Sequence, residues 1–203
     1  MTAAPFKNIE VLVVDDEAQI RQVVKSNLLT LGYNVTVSDS AESALQYFGM
    51  KPYNILVSDI RLGKMDGLEM GNKLRAKDPA VAMIFMTGKP TSKGIAAAQE
   101  MGAIQYIPKP LGAAELGENM AIAARWNVAQ LITRAAEKYF SLRGGRMSIL
   151  ENKFQRTKAE VKNIVSNNRD ADMLIELAYA KTPHSTRMFS VLDEKMAPFL
   201  RII

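Results

Sequence analysis

Four short runs in the first half of this chain place carboxylates, a hydroxyl and an amine where they could do chemistry together. Asp15-Asp16 follows Val11-Leu12-Val13-Val14, Asp59 follows Ile55-Leu56-Val57-Ser58, and Thr87-Gly88 follows Met83-Ile84-Phe85-Met86. Lys109-Pro110 follows a more mixed stretch, Ala103-Ile104-Gln105-Tyr106-Ile107-Pro108. Carboxylates gathered in one pocket repel one another, and their ionised state needs a compensating charge. A hard divalent cation supplies it; Mg2+ commonly takes one or two carboxylates with phosphate oxygens and water. A carboxylate beside such a cation can attack phosphorus and become an acyl phosphate. A lysine then brings a mobile point charge to a phosphoryl oxygen, and a threonine hydroxyl can donate a hydrogen bond to another. The residue types read as a metal-assisted, phosphoryl-accepting aspartate with its own sensors of the phosphate.

Such residues act together only if the fold gathers them. Short apolar runs separated by helix-length amphipathic segments read as buried parallel strands joined by crossover helices, and open sheets of this kind bind ligands just beyond the carboxyl ends of their strands. The pattern predicts strands over Ile9–Val14, Asn34–Ser38, Ile55–Ser58, Val81–Met86 and Ile104–Ile107. It predicts helices over Ala18–Leu31, from a Ser40 N-cap to Gly49, over Gly67–Lys77 and over Ser92–Met101, with Gly32 and Gly102 as stops. One Asp after an apolar run is an ordinary turn or capping residue; all four runs at strand ends in this order are something more specific.

The order Asp-Asp, Asp, Thr, Lys-Pro on alternating strand–helix units resembles the receiver domain of two-component response regulators, from about Asn8 to about Ala113 and into the following helix. The resemblance implies a flavodoxin-like α/β fold, a five-stranded doubly wound parallel sheet of order 2-1-3-4-5. It implies a phospho-acceptor receiver over residues 1–120 and an α-helical output or dimerisation region over 121–203, continuous with the last receiver helix. By position, Asp59 matches the phospho-acceptor, and Asp15 and Asp16 match the acidic pair that holds Mg2+ with Asp59 and the backbone carbonyl of Arg61. Thr87 matches the switch hydroxyl, Lys109 the site lysine and Tyr106 the aromatic switch position, while Asp66-Gly67 matches the loop signature before the third helix. The Lys109-Pro110 bond is expected to be cis. The implied partner is a sensor histidine kinase or a phosphotransfer protein. Gly63 stands where a proline is common in the family and loosens that loop. Lys89, two residues past Thr87, places a cation near the pocket mouth and is expected to alter phosphate lifetime.

Composition bounds the rest. The 203 residues are 48% apolar and 23% charged, as in ordinary soluble proteins, and contain no cysteine, which excludes disulfides and thiolate metal sites. No apolar run reaches the roughly 18 residues of a membrane span, and Met1-Thr2-Ala3-Ala4-Pro5 has no signal-peptide pattern, so the expected location is cytoplasmic, without a membrane partner. Of the net charge of +5, residues 1–112 carry +1 and residues 113–203 carry +4. Arg134 to Arg169 holds nine basic residues against three acids, the one marked local bias in the chain.

Beyond Ala113 no strand signal appears. Leu116, Met120, Ala124, Val128, Leu131, Ala135, Tyr139 and Leu142 recur at steps of three and four, a helical stripe of about thirty residues. Gly144-Gly145 breaks it; further helices are predicted over Met147–Val165, from an Asp170 cap to about Ala180, and over Pro183–Leu200. The preferred reading is a helical bundle that contacts a protein partner or a second copy of the chain. The basic bias leaves nucleic-acid binding as the alternative, although Lys181-Thr182-Pro183 replaces the glycine-containing turn of a helix-turn-helix. His184, the sole histidine, sits at a helix start rather than mid-helix and reads as a surface or capping residue rather than a phosphorelay acceptor. No motif of a separate output enzyme is present; the expected chemistry is Mg2+-dependent phosphorylation and dephosphorylation of the receiver alone.

Overall fold

The computed structural model describes residues 8–141. Five strands alternate with five helices: β1 (Glu10–Val14), α1 (Ala18–Thr30), β2 (Asn34–Ser38), α2 (Ala41–Met50), β3 (Ile55–Asp59), α3 (Gly67–Lys77), β4 (Ala82–Thr87), α4 (Ser92–Glu100), β5 (Gln105–Pro108) and α5 (Ala113–Ser141). All pairings are parallel, and the strand order is β2-β1-β3-β4-β5. This is the flavodoxin-like receiver fold. The chain divides into two compact units, one ending at Asn127 and one beginning at Val128; the sheet and α1 to α4 belong to the first.

Burial follows the sheet order. β3 and β4 are buried along their whole length and β1 all but at its first residue, because helices cover both faces of the central strands. The edge strands β2 and β5 are only partly buried. Every predicted strand boundary holds to within a residue. β2 falls on its expected bounds, β1 and β3 differ by one residue at one end, and β4 and β5 are each shifted by one, to Ala82–Thr87 and Gln105–Pro108. At the edge, β5 accommodates a polar first residue and a proline at its end.

The helix ends obey local chemistry. Gly32 and Gly102 adopt φ of +88° and +75°, the left-handed conformation that the predicted stops require. Asp66 caps α3 by accepting from the Glu69 amide at 2.7 Å, and Thr91 caps α4 by accepting from the Gly94 amide at 3.1 Å. Ser40 does hold the N-cap position of α2, but its hydroxyl bonds to Asp39 and Ser43 side chains instead of to a helix amide.

On α5 the predicted stripe is buried at Leu116, Met120, Ala124 and Val128. The helices predicted after Gly145, together with His184 and most of the basic stretch, lie outside the described residues. Among the described residues no helix is long and apolar enough to cross a membrane.

Candidate functional site

Strand register places the acids. β1 pairs with β3 so that Val14 faces Ser58. The next residue on each strand is an aspartate, which sets Asp15 beside Asp59 at the carboxyl edge of the sheet. β1 is also where the strand order reverses, with β2 on one side and β3 on the other, and a crevice opens at such a switch point. On the other side, β4 pairs with β5 so that Thr87 faces Pro108, and the Lys109 amide donates to the Thr87 carbonyl at 2.7 Å. The following Lys109-Pro110 peptide is cis, as the resemblance implied.

Lys109 draws these edges together. Its Nζ lies 2.6 Å from Asp59 Oδ2 and 2.6 Å from Asp15 Oδ2, with Glu17 Oε1 at 3.5 Å. Asp15, Asp59 and Thr87 are buried, whereas Asp16 and Glu17 are exposed at the rim. Asp15 Oδ1 accepts from the Glu17 amide at 3.0 Å, the Asp15 carbonyl accepts from the Arg21 guanidinium at 2.7 Å, and Asp59 Oδ1 accepts from the Arg61 amide at 3.2 Å. Thr87 Oγ1 accepts from the Lys89 amide at 3.2 Å, while the Lys89 side chain is exposed. Tyr106 is partly buried, with its hydroxyl against Gly94 on α4.

A close approach fixes the loop that follows Asp59. A Cβ on Gly67 would run into the Asp59 backbone carbonyl and lie 2.9 Å from Ser58 Oγ, so only glycine fits at this position of the Asp66-Gly67 pair. The Gly67 amide donates to the Ile60 carbonyl at 2.7 Å and closes the loop. Gly63, the departure from the usual proline, has φ of +88°, which a proline could not adopt.

The electrostatics are unbalanced. Carboxylate oxygens of Asp15, Asp16, Glu17 and Asp59 all lie within 4.8 Å of one another. Ionised, these four acids against the single Lys109 ammonium leave a formal charge of −3. Burial pushes the Asp15 carboxyl above its ordinary range, against the pull of the Lys109 ammonium and the Glu17 amide. Burial alone would lower the Lys109 ammonium, but the Asp15 and Asp59 carboxylates outweigh it and the net direction is upward. Asp15 Oδ2, although 2.6 Å from Lys109 Nζ, has no aligned hydrogen-bond donor. A buried carboxylate oxygen with spare acceptor capacity, in an all-oxygen donor set without Cys or His, fits a hard divalent cation.

The structure thus gathers Asp15, Asp16, Asp59 and Lys109, with Arg61 and Thr87 attached to the same edges. Sequence reasoning missed Glu17. Its signal was adjacency alone, since it directly follows the acidic pair and its backbone turns it back toward Asp15. Sequence reasoning also missed a buried polar group at the opposite end of the sheet. Asn127 Nδ2 donates to the Ala80 carbonyl at 2.6 Å, Asn54 Nδ2 donates to Asn127 Oδ1 at 3.0 Å, and Asn54 Oδ1 accepts from the Glu10 amide at 2.9 Å.

Comparison with known proteins places this geometry in a family. The model of the response regulator receiver domain matches residues 11–121. The transcriptional regulatory protein ZraR of Escherichia coli is 31% identical over 104 residues, which are 51% of this chain and 24% of that protein. The probable transcriptional regulator ycf27 of Guillardia theta is 33% identical over 121 residues, 59% of this chain and 47% of that protein. The chain thus spans about a quarter to a half of the length of these curated relatives. Among solved structures, the signal receiver domain of an HD domain-containing protein from Pseudomonas fluorescens superposes with a TM-score of 0.58 at 27% identity, covering 61% of this chain and 99% of that one. A CheY-like receiver domain protein from Methanospirillum hungatei gives 0.55 at 28% identity, covering 56% and 91%.

Proposed function

The chain belongs to the response regulator receiver family, and from that premise we propose that Asp59 accepts a phosphoryl group from the phosphohistidine of a partner sensor kinase or phosphotransfer protein. The observation that carries this reading is the placement of one lysine ammonium 2.6 Å from both the Asp15 and the Asp59 carboxylates. Asp59 Oδ attacks phosphorus, the O–P bond forms, the N–P bond of the donor breaks, and the imidazole leaves with the electron pair. Asp15, Asp16, Asp59 and the Arg61 carbonyl would hold Mg2+, which when bound offsets the charge of the acids and of the incoming phosphoryl oxygens.

The remaining steps belong to the side chains. Lys109 moves its ammonium from carboxylate to phosphoryl oxygen, a short travel for a flexible point charge. Thr87, whose oxygen already accepts from the Lys89 amide, has its hydroxyl proton available for another phosphoryl oxygen. Tyr106 turns inward as Thr87 is drawn over. A local charge change thereby biases a two-state surface formed by α4, β5 and α5. Because α5 runs on to Ser141, it is the route by which that surface speaks to the residues beyond 121, read here as a helical module for a protein partner or a second copy. The names of the relatives, transcriptional regulators, and the basic Arg134–Arg169 stretch favour a second reading in which those residues bind nucleic acid.

Acetyl phosphate labelling tests the acceptor. Wild-type protein is expected to label only with Mg2+, and Asp59→Asn not at all; equal labelling of the two would remove the assignment. Solution mass with and without beryllofluoride, beside a salt-dependent nucleic-acid shift assay, separates the two output readings. A change of mass without nucleic-acid binding supports the first, and binding that falls steeply with salt supports the second.

A further inference from the structure

Gly94 stands in the first turn of α4 with an ordinary helical backbone, so no left-handed conformation demands glycine there. Glycine is a poor choice inside a helix, because it leaves backbone entropy that alanine would remove. Space supplies the missing reason. A Cβ at this position would lie 2.9 Å from the Tyr106 hydroxyl and 3.7 Å from Tyr106 Cε2, with Thr91 Oγ1 at 3.1 Å. The 2.9 Å approach is closer than a real Cβ tolerates, and the atom it meets is the far end of a side chain that can rotate. Thr91 Oγ1 is held in place by its cap bond to the Gly94 amide, so the tyrosine ring is the partner that gives way.

We propose that Gly94 is a positioning residue of the Tyr106 switch, providing the seat in which the tyrosine hydroxyl rests in one of its two orientations. The inference rests on the reading of Tyr106 as a switch and adds the residue that sets its balance. Gly94→Ala fills the seat at the cost of a slight adjustment of Thr91 Oγ1, and the ring is driven to its other orientation whether or not the aspartate carries a phosphoryl group. When the hydroxyl is gone the methyl meets the ring at an ordinary van der Waals distance, and its 3.1 Å approach to Thr91 Oγ1, present in either background, is the tight contact that remains.

The test uses the full chain labelled with fluorotyrosine, with the Tyr106 resonance identified among the six tyrosines by its loss in Tyr106→Phe. In wild type, Mg2+ and beryllofluoride are expected to move that resonance. In Gly94→Ala it is expected to be displaced before any beryllofluoride is added and to lose most of its further response. A second measurement guards against a simple helix effect: Gly94→Ala is expected to raise the Tm more in the Tyr106→Phe background than in wild type. A Tyr106 resonance that Gly94→Ala leaves in place overturns the proposal, as does an equal change of Tm in both backgrounds. If beryllofluoride fails to move the resonance in wild type, the switch reading itself falls, and the proposal with it.

Discussion

The two ends of the central sheet bury polar side chains on opposite terms. At the amino end, Asn54 and Asn127 meet each other and the backbone of Glu10 and Ala80 through neutral hydrogen bonds. Arg75 at the end of α3 donates to the carbonyls of Pro79, Val81 and Gly102 and stacks 5.1 Å from the Trp126 ring, with its Nε alone left over. At the carboxyl end, four acids crowd one lysine, and the buried Asp15 Oδ2 has only that shared ammonium, 2.6 Å away and not aligned as a hydrogen bond. The amino end pairs its two asparagines and all but one nitrogen of Arg75 with backbone or each other, and so holds the fold. The carboxyl end accumulates negative charge that an added cation can offset, which is the property the proposed phosphoryl chemistry draws on. Among the described residues each end leaves one buried side-chain atom without a hydrogen bond, so the contrast lies in charge: neutral amides and a lone guanidinium at one end, crowded carboxylates at the other.

The sharpest way to break this contrast is to delete one amide or one acid at each end. Asn127→Leu leaves the half-buried Asn54 amide and the buried Ala80 carbonyl without this partner, at roughly 1–3 kcal/mol for each group and least for the first. A loss of about 3 kcal/mol in urea unfolding is expected, with Mg2+ binding retained. Asp15→Asn should behave oppositely. Because burial raises the Asp15 carboxyl, the neutral amide relieves a cost, so stability is expected to stay level or rise while Mg2+ binding is lost. If Asp15→Asn instead destabilised the protein as much as Asn127→Leu, the two ends would not differ in kind.

A steric change at the carboxyl end comes next in size. Gly67→Ala drives a methyl group into the backbone carbonyl of Asp59, and neither the loop nor β3 has a soft side chain to yield. Overpacking of this sort costs about 1–3 kcal/mol. It also displaces Asp59, so the acetyl phosphate labelling rate is expected to fall together with the unfolding midpoint. A variant of wild-type stability would show that the loop relaxes and that the close approach is not needed.

How far this contrast was legible beforehand depends on the kind of residue. β1, β3 and β4 announced themselves because a strand buried on both faces must be apolar throughout, and the acids that follow β1 and β3 break that pattern sharply. The acidic pair, Asp59 and Lys109 were therefore visible as a set, and the register of β1 against β3 was the one extra fact needed to bring Asp15 and Asp59 together. Asn54, Asn127 and Arg75 gave no such signal. An asparagine before a strand or inside a helix is locally unremarkable, and Asn127 finds its partner Asn54 across 73 positions of sequence. Gly94 was equally silent, since its reason is a tyrosine on another element. Residues 121–203 were read from apolar stripes and a basic bias, and a stripe says that a helix is covered without saying by what.

Mg2+ sharpens the comparison at smaller amplitude. A ligand that binds only the folded chain stabilises it by about 1.4 kcal/mol at ten times its Kd. That gain is expected in wild type and in Asn127→Leu, measured as an upward shift of the urea midpoint, and is expected to vanish in Asp16→Asn. An equal gain in Asp16→Asn would mean that the cation binds elsewhere.

The smallest effect separates the ends by pH. Tyr33 precedes β2 at the amino end, is buried, and has its phenol pushed up to about 12 by that burial, against the favourable influence of the Arg125 charge. The unfolded phenol ionises near 10 and the folded one near 12, so between these values the unfolded chain has lost a proton that the folded chain keeps. Stability from this residue is therefore full well below pH 10 and declines as pH rises through the window, by about 0.8 kcal/mol at pH 10.5 and by about 1.1 kcal/mol per unit at its steepest. Tyr33→Phe is expected to remove that part of the alkaline decline while leaving the Mg2+ gain at pH 8 unchanged. A variant whose alkaline slope matched wild type would place the titrating group elsewhere. One that lost the Mg2+ gain as well would show that the two ends of the sheet are coupled, and the division between a holding end and a responding end would have to be given up.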